Sequence, residues 1–523
     1  MSKKKSGSLS QIKAGAALSY LAVAINIIAG LLYTPWMVRQ IGQSHYGLYT
    51  LAISLISLLM MDFGIGAAVA RFVSKYRVAG DQQRIDGLLG IVYKLYLFID
   101  AVFFVALIVV YLNMDMIYGK LTPTELAQFK LVYLIAAGYN ILAFPFVPLN
   151  GILTAYEEFV PLKLCDIFHK LLSVALIVLA LSLGWGLFAL VAMNSLSGLT
   201  VILIKLCFIR RKLPVKAHFR YQDKAMTKEI FGFSAWTTVI SVSQRFIFNI
   251  TPTFLGMLSG SASIALFGAA TTIEGYTYTI ANAVNGLFLP RVTRILAHAQ
   301  SSKAEISRLM IKVGRIQLVL IGGIFVGFVC VGRQFMLLWM GAEYEAAYYY
   351  AVALLFPSVL ELPQHIAANV VIAQNEVKRQ AKVYLIMAGI NITLMWILIH
   401  ALGGVGAAVS ICIAYVARTL MMDYVYHRHL QIDIRHFLTQ CYKDMILPIL
   451  LTIVAGLSFS HWLSPSGWSG LVMNALWVLC LYAALVALLA VSKQERALCR
   501  KALMNLLPGR KKGRENIGGN STP

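Results

Sequence analysis

The chain has 523 residues, 59% hydrophobic and 13% charged, with mean hydropathy +0.74 and a formal net charge of +23. A soluble domain carries about 25% charged residues, so the composition excludes a soluble protein and points to an all-α polytopic membrane protein. The basic excess lies between apolar runs on alternate sides, which is topology and not a nucleic-acid surface, so no nucleic acid is expected as a partner.

A helix needs about 20 apolar residues to cross the hydrocarbon, and about fourteen stretches qualify. In chain order they cover 14–38, 46–73, 88–112, 127–155, 160–181, 187–208, 229–256, 262–290, 312–338, 346–374, 383–402, 405–425, 443–463 and 469–491. The first exceeds a signal-peptide core and is read as a retained span. The basic clusters at 1–13, 71–84, 210–228, 291–315, 378–382, 428–443 and 493–514 hold about 35 of the 45 Lys and Arg; the alternate loops hold Arg39, Lys120, Lys130 and Arg333. Both termini are therefore expected in the cytoplasm. The other loops are short, the longest at 113–126, and leave no room for a soluble domain. The seven cysteines show no metal-ligand spacing and read as buried apolar side chains.

An internal echo divides the chain. Thr34-Pro35 is matched by Thr251-Pro252, Phe144-Pro145 by Phe356-Pro357, and Ala155-Tyr156-Glu157-Glu158 by Ala373-Gln374-Asn375-Glu376. Gly184-Trp185-Gly186 is matched by Gly404-Val405-Gly406, all at an offset of roughly 210 to 220 residues. The expected organisation is a six-helix bundle over 1–210, a second over 211–428, two additional helices over 429–491, and a basic, disordered cytoplasmic tail over 492–523. A parallel duplication of this kind places a substrate site between the halves. The two additional helices read as packing or lateral shielding.

Ionisable residues inside spans are costly and mark candidate sites. In span 7 Arg245 lies about 16 Å from the external end, and in span 8 Glu274 lies about 18 Å from the same side, so the two can meet near mid-membrane. Such a pair is either a switch that releases Arg245 to an anion or a static structural contact. Asp62 in span 2 reads as a cation or proton site, or as a packing acid satisfied by backbone or by Arg71. Span 5 opens with Lys163, Asp166, His169 and Lys170; Lys163, Asp166 and Lys170 share a face that suits a phosphate, or that pairs with itself. In span 10, Glu361 and His365 face together one turn after Pro357 and suit a proton site or a polar seam. Amides such as Asn249 and Asn282 suit sugar hydroxyls, and equally interhelical hydrogen bonds. No phosphate-binding loop, metalloprotease motif or hydrolase triad occurs, so no enzyme is expected, and no cofactor beyond a coupling proton or sodium ion.

Leu32-Tyr33-Thr34-Pro35 through Ile41-Gly42, then Tyr46-Gly47-Leu48-Tyr49 and Asp62-Phe63-Gly64-Ile65-Gly66, resemble the polysaccharide-repeat exporters. These are the Wzx-type O-antigen flippases of the multidrug/oligosaccharidyl-lipid/polysaccharide superfamily. The resemblance implies a flippase carrying an undecaprenyl-pyrophosphate-linked oligosaccharide outward by alternating access. It implies lipids and other polysaccharide-assembly proteins as partners, and basic cavity residues facing the pyrophosphate, a role that Arg245 matches. Physics agrees: unsatisfied sugar hydroxyls cost a few kcal/mol each in hydrocarbon, and a polar, basic path lowers that cost. The rivals are a cation-coupled multidrug antiporter of the same superfamily, which would want an acidic lining, a membrane glycosyltransferase or polymerase, and a non-transporting scaffold.

Overall fold

A computed structural model of the chain describes residues 2–59, 63–285, 288, 292, 295, 302–374, 376–462 and 467–490. Among the described residues every regular element is a helix, the only open-ended way to satisfy backbone groups within hydrocarbon. The first half runs α1 (Ser2–Ile41), α2 (Gln43–Leu59), α3 (Ile65–Ala79), α4 (Gln82–Leu112), α5 (Met114–Ile117), α6 (Pro123–Ala143), α7 (Pro148–Ala155), α8 (Phe159–Ser182) and α9 (Gly186–Lys212). The second runs α10 (Lys224–Phe248), α11 (Thr251–Leu258), α12 (Ser261–Asn285), α13 (Ser302–Met340), α14 (Ala347–Glu361), α15 (His365–Ala373), α16 (Val377–Leu402) and α17 (Gly404–Arg428). Two further helices, α18 (Ile434–Trp462) and α19 (Gly467–Leu485), pack on α13.

Among the described residues, eleven helices are long and apolar enough to cross a membrane. The three expected spans outside that set are 46–73, 229–256 and 262–290. Each is helical, but the first is interrupted at Phe63-Gly64, where φ is positive, and the second turns at Asn249-Ile250. The third carries Glu274 among threonines and tyrosines. These are the segments that meet between the halves.

Proline sets the echo between spans 4 and 10. A 3-10 turn over Phe144–Phe146 joins α6 to α7, and a 3-10 turn over Leu362–Gln364 joins α14 to α15. In both, proline removes an intrahelical donor and breaks the helix near mid-span. The Thr-Pro pair diverges: Pro35 sits inside α1, whereas Pro252 opens α11.

The apolar core is continuous at one face and divided at the other. At the face away from the basic clusters, one cluster joins both halves through Leu48, Leu51, Ile264, Ala265, Trp339 and Tyr344. Towards the basic face the core splits into a first-half cluster around Phe72, Leu88 and Ile152 and a second-half cluster around Met310, Ile366 and Phe437. The joined face is laced by hydrogen bonds. Trp339 Nε1 donates to Leu31 O at 2.7 Å and Gln43 Nε2 to Glu343 O at 3.0 Å. Glu125 Oε1 accepts from Ser44 Oγ and from Ser261 Oγ, each at 2.5 Å. The 113–126 loop is therefore a clasp as much as a connector, and Glu125 also forms the capping box of α6 with Thr122.

Close approach of α2 to α12 requires Gly47, because a Cβ there would lie 2.2 Å from the backbone oxygen of Ser261. Gly47→Leu should hold this face ajar. A cysteine at Thr50, which packs on Gly268, should then react with a membrane-impermeant maleimide added from that side; protection equal to that in the parent chain would refute the steric argument.

The expectation of uniformly buried cysteines fails at Cys207 and Cys480, which are exposed on outward helix faces. An apolar thiol is as well suited to hydrocarbon as to a core.

Candidate functional site

Three clusters of polar side chains lie among the spans. The first is at the seam between the halves. Arg245 sits in the last turn of α10, and its Nη1 donates to Ser57 O of α2. Among the described residues Arg245 forms no ion pair with Glu274, so the expected pair is not made. Consecutive antiparallel helices were the basis for expecting it, but α10 packs on α16, α2 and α3, while α12 packs on α2 and α14. The two side chains therefore diverge around α2. Asn249 lies just beyond, at the break after α10, where its N–H donates to Arg245 O at 2.9 Å. Asn282 is exposed near the end of α12. Asp62 lies outside the described residues.

The second cluster is buried in the second half and was only half legible. Glu361 and His365 come together as expected, with Nε2 3.4 Å from Oε1. What the helical spacing did not reveal is Arg418 of α17, whose Nη2 pairs with Glu361 Oε2. Arg418 is 2% exposed, stacks 4.3 Å from the Tyr415 ring centroid, and donates to Tyr384 Oη at 3.3 Å. Tyr278 Oη donates to Glu361 Oε2 at 2.6 Å. A directional chain feeds the other side of His365: Gln317 Nε2 donates to Asn285 Oδ1, and Asn285 Nδ2 donates to His365 Nδ1 at 2.8 Å. With Nδ1 accepting, Nε2 carries the ring proton towards Glu361. Glu274, 8% exposed, lies within electrostatic reach of Glu361, so it belongs to this cluster and not to Arg245. The cavity beside Glu361, His365 and Arg418 holds about 40 Å³. That admits water and excludes a sugar.

The third cluster lies in the first half. Lys163 Nζ is 3.2 Å from Asp166 Oδ2, and Asp166 is shared with Lys205 at 3.6 Å. Lys205 Nζ also donates to Asn150 Oδ1 at 3.0 Å. Lys170 stands apart, half-buried, with no ion pair to another described residue. The one-face expectation for Lys163, Asp166 and Lys170 thus resolves into a Lys–Asp–Lys group completed by Lys205 of α9.

Lys205 gives the first half a deep cation of its own. It ties α9 to α7 and α8, as Arg418 ties α17 to α14 and α16. Lys205 and Arg418 fall within the same 210–220 offset, as do Asn150 and Glu361. Both cations lie inside apolar helices, which is the signal that would have found them.

A fourth feature is apolar. A groove of about 730 Å³ runs between α13 and α19, lined by Val319, Gly323, Phe328, Leu471 and Leu479 and reaching Ile273 of α12. Of the two C-terminal helices, α19 thus lines a groove as well as packing on the second half.

Comparison with known proteins gives the fold a context. Residues 12–296, more than half of the chain, match the family described as polysaccharide biosynthesis protein. No curated protein matches. Among solved structures, the lipid II flippase MurJ in an inward closed conformation superposes with a TM-score of 0.67 at 15% identity, covering 94% of this chain and 99% of that one. A multidrug resistance MATE family transporter of the MOP superfamily, inward-facing, gives 0.61 at 14% identity, covering 79% and 98%. The eukaryotic MATE transporter AtDTX14 gives 0.61 at 13%, covering 84% and 98%.

Proposed function

The chain belongs to the polysaccharide biosynthesis protein family, and from that premise we propose that it is a flippase for a lipid-linked oligosaccharide. The lipid is undecaprenyl pyrophosphate, and the movement is from the inner to the outer leaflet of a bacterial inner membrane. Both termini lie in the cytoplasm, so the divided face of the core faces the cytoplasm and the joined face the outside.

The observation that carries this reading is the position of Arg245. Its guanidinium reaches across the seam between the halves to the backbone of α2, which sets a cation where a diphosphate head would cross. The apolar groove between α13 and α19 supports it, since a polyprenyl tail needs hydrocarbon-like cover next to the seam while its head crosses. Rocking of the halves then opens the Glu125 clasp outward as the cytoplasmic gap closes. An inside-negative potential assists an outward-moving anion by about 2.3 kcal/mol per charge per 100 mV.

Coupling is assigned to the Glu361–His365 pair and to protons. The cavity there is too small for substrate, and Arg418 already occupies one carboxylate oxygen, which disfavours a sodium ion at the same atom.

A cation-coupled multidrug antiporter is the second reading, since MATE transporters share the fold. Proteoliposomes separate the two. The flippase reading expects a lipid-linked oligosaccharide to become accessible to a glycosidase on the far side of the membrane, with no gradient-driven efflux of ethidium. Ethidium efflux without oligosaccharide movement would overturn it.

A further inference from the structure

In the second half a cavity of about 650 Å³ opens at the basic ends of α16 and α17. Its rim is cationic: Lys378, Arg379 and Lys382 occupy the first turns of α16, and His429 follows α17. Glu376 neutralises Arg379 at 2.7 Å, and Arg379 Nη1 lies 3.3 Å from His429 Nε2. Lys378 and Lys382 form no ion pair with another described residue; Lys378 lies 5.4 Å from the Trp236 ring centroid. Cations in the first turns of a helix act against its dipole, so the sequence places them here at a cost.

The wall of the cavity is apolar. Leu420 and Tyr424 are 64% and 65% exposed, and Val383 and Met421 also line the cavity. With Ile413, Leu420 and Tyr424 form a stripe on one face of α17, the pattern of a lipid-facing helix.

We propose that this cavity binds an anionic phospholipid of the inner leaflet, with its phosphate on Lys378 and Lys382 and an acyl chain along Leu420 and Met421. A basic rim set directly above an apolar wall matches a phosphate-headed amphiphile and neither a soluble polyanion nor a neutral lipid. The inference rests on the orientation given above, which puts this rim at the cytoplasmic surface. The opposite faces of the same two helices carry Tyr384 and Arg418 against Glu361, so the lipid braces the helices that hold the buried pair.

The test uses the full chain in neutral detergent with equimolar phosphatidylglycerol and phosphatidylcholine, read by native mass spectrometry. The wild type should retain phosphatidylglycerol preferentially. Lys378→Gln with Lys382→Gln should lower that preference by about tenfold or more, given about fivefold per basic residue near a charged surface. The lipid-free melting temperature should not fall, since the two cations oppose the dipole of α16. Leu420→Glu, at an exposed position that tolerates change, should lose the preference too. Equal retention of the two lipids by the wild type, equal preference in wild type and variants, or displacement of the lipid by millimolar inorganic phosphate would overturn the proposal. None of these outcomes involves the transported oligosaccharide, so a failure here is distinct from a failure of the flippase reading.

Discussion

Arg245→Ala should abolish oligosaccharide export while the protein reaches the membrane in normal amount. The substitution removes the cation that reaches across the seam. A charge-assisted hydrogen bond to a phosphate contributes roughly 1.5–3 kcal/mol, so affinity for a diphosphate head should fall about 10- to 150-fold. Arg245→Lys keeps the charge and loses the planar fork, so it should keep part of the activity. Export in a deletion strain, normalised to membrane abundance, checks both. Wild-type export by Arg245→Ala would remove Arg245 from the substrate path.

The largest stability effect is expected at Arg418. Arg418→Ala leaves Glu361 buried without its cation, and breaking such a pair costs about 3–5 kcal/mol. The melting temperature of the purified protein should drop sharply. Replacing both partners, Arg418→Met with Glu361→Leu, should recover most of the loss, because an apolar pair of similar volume is often as stable as a buried ion pair. The double variant separates structure from coupling. It should be stable yet lose the dependence of transport on a proton gradient, because the carboxylate facing His365 is gone. A stable double variant with undiminished gradient dependence would make the cluster purely structural.

Much of the architecture was legible in the sequence, because a membrane leaves few choices. The expected fourteen spans and the eleven sufficiently apolar helices differ in an instructive place. The three that fall short are α2 with α3, α10 with α11, and α12, the segments that meet between the halves. Polarity weakens the hydropathy signal in α10 and α12, whereas α2 is apolar and has 17 described residues, too few to count. The proline break of span 4 was readable at Phe144-Pro145, but in span 10 the matching Pro357 stays inside α14 and the break comes later, at Pro363.

The pairing of charges was not readable. Depth along a helix follows from residue counting, but the direction of a side chain follows from which helices pack together. Arg245 and Glu274 were placed at matching depths, yet α2 stands between their helices. Arg245 instead reaches Ser57, the residue that the repeat offset makes equivalent to Glu274. Arg418 and Lys205 were overlooked because their partners lie on other helices, which spacing along one helix does not show. Glu125 was overlooked because it sits in a loop-to-helix junction whose Thr-Pro-Thr-Glu capping box explains it locally. Only tertiary contact shows that it also holds Ser44 and Ser261 together.

That clasp offers the most direct test of rocking transport. Ser44 and Ser261 come from opposite halves and donate to the same oxygen of Glu125, so Ser44→Cys with Ser261→Cys in a cysteine-free background should form a disulfide across the joined face. Oligosaccharide translocation in proteoliposomes should stop when the disulfide is formed by oxidant and return when it is reduced. Unchanged translocation with the disulfide fully formed would contradict alternating access through this seam.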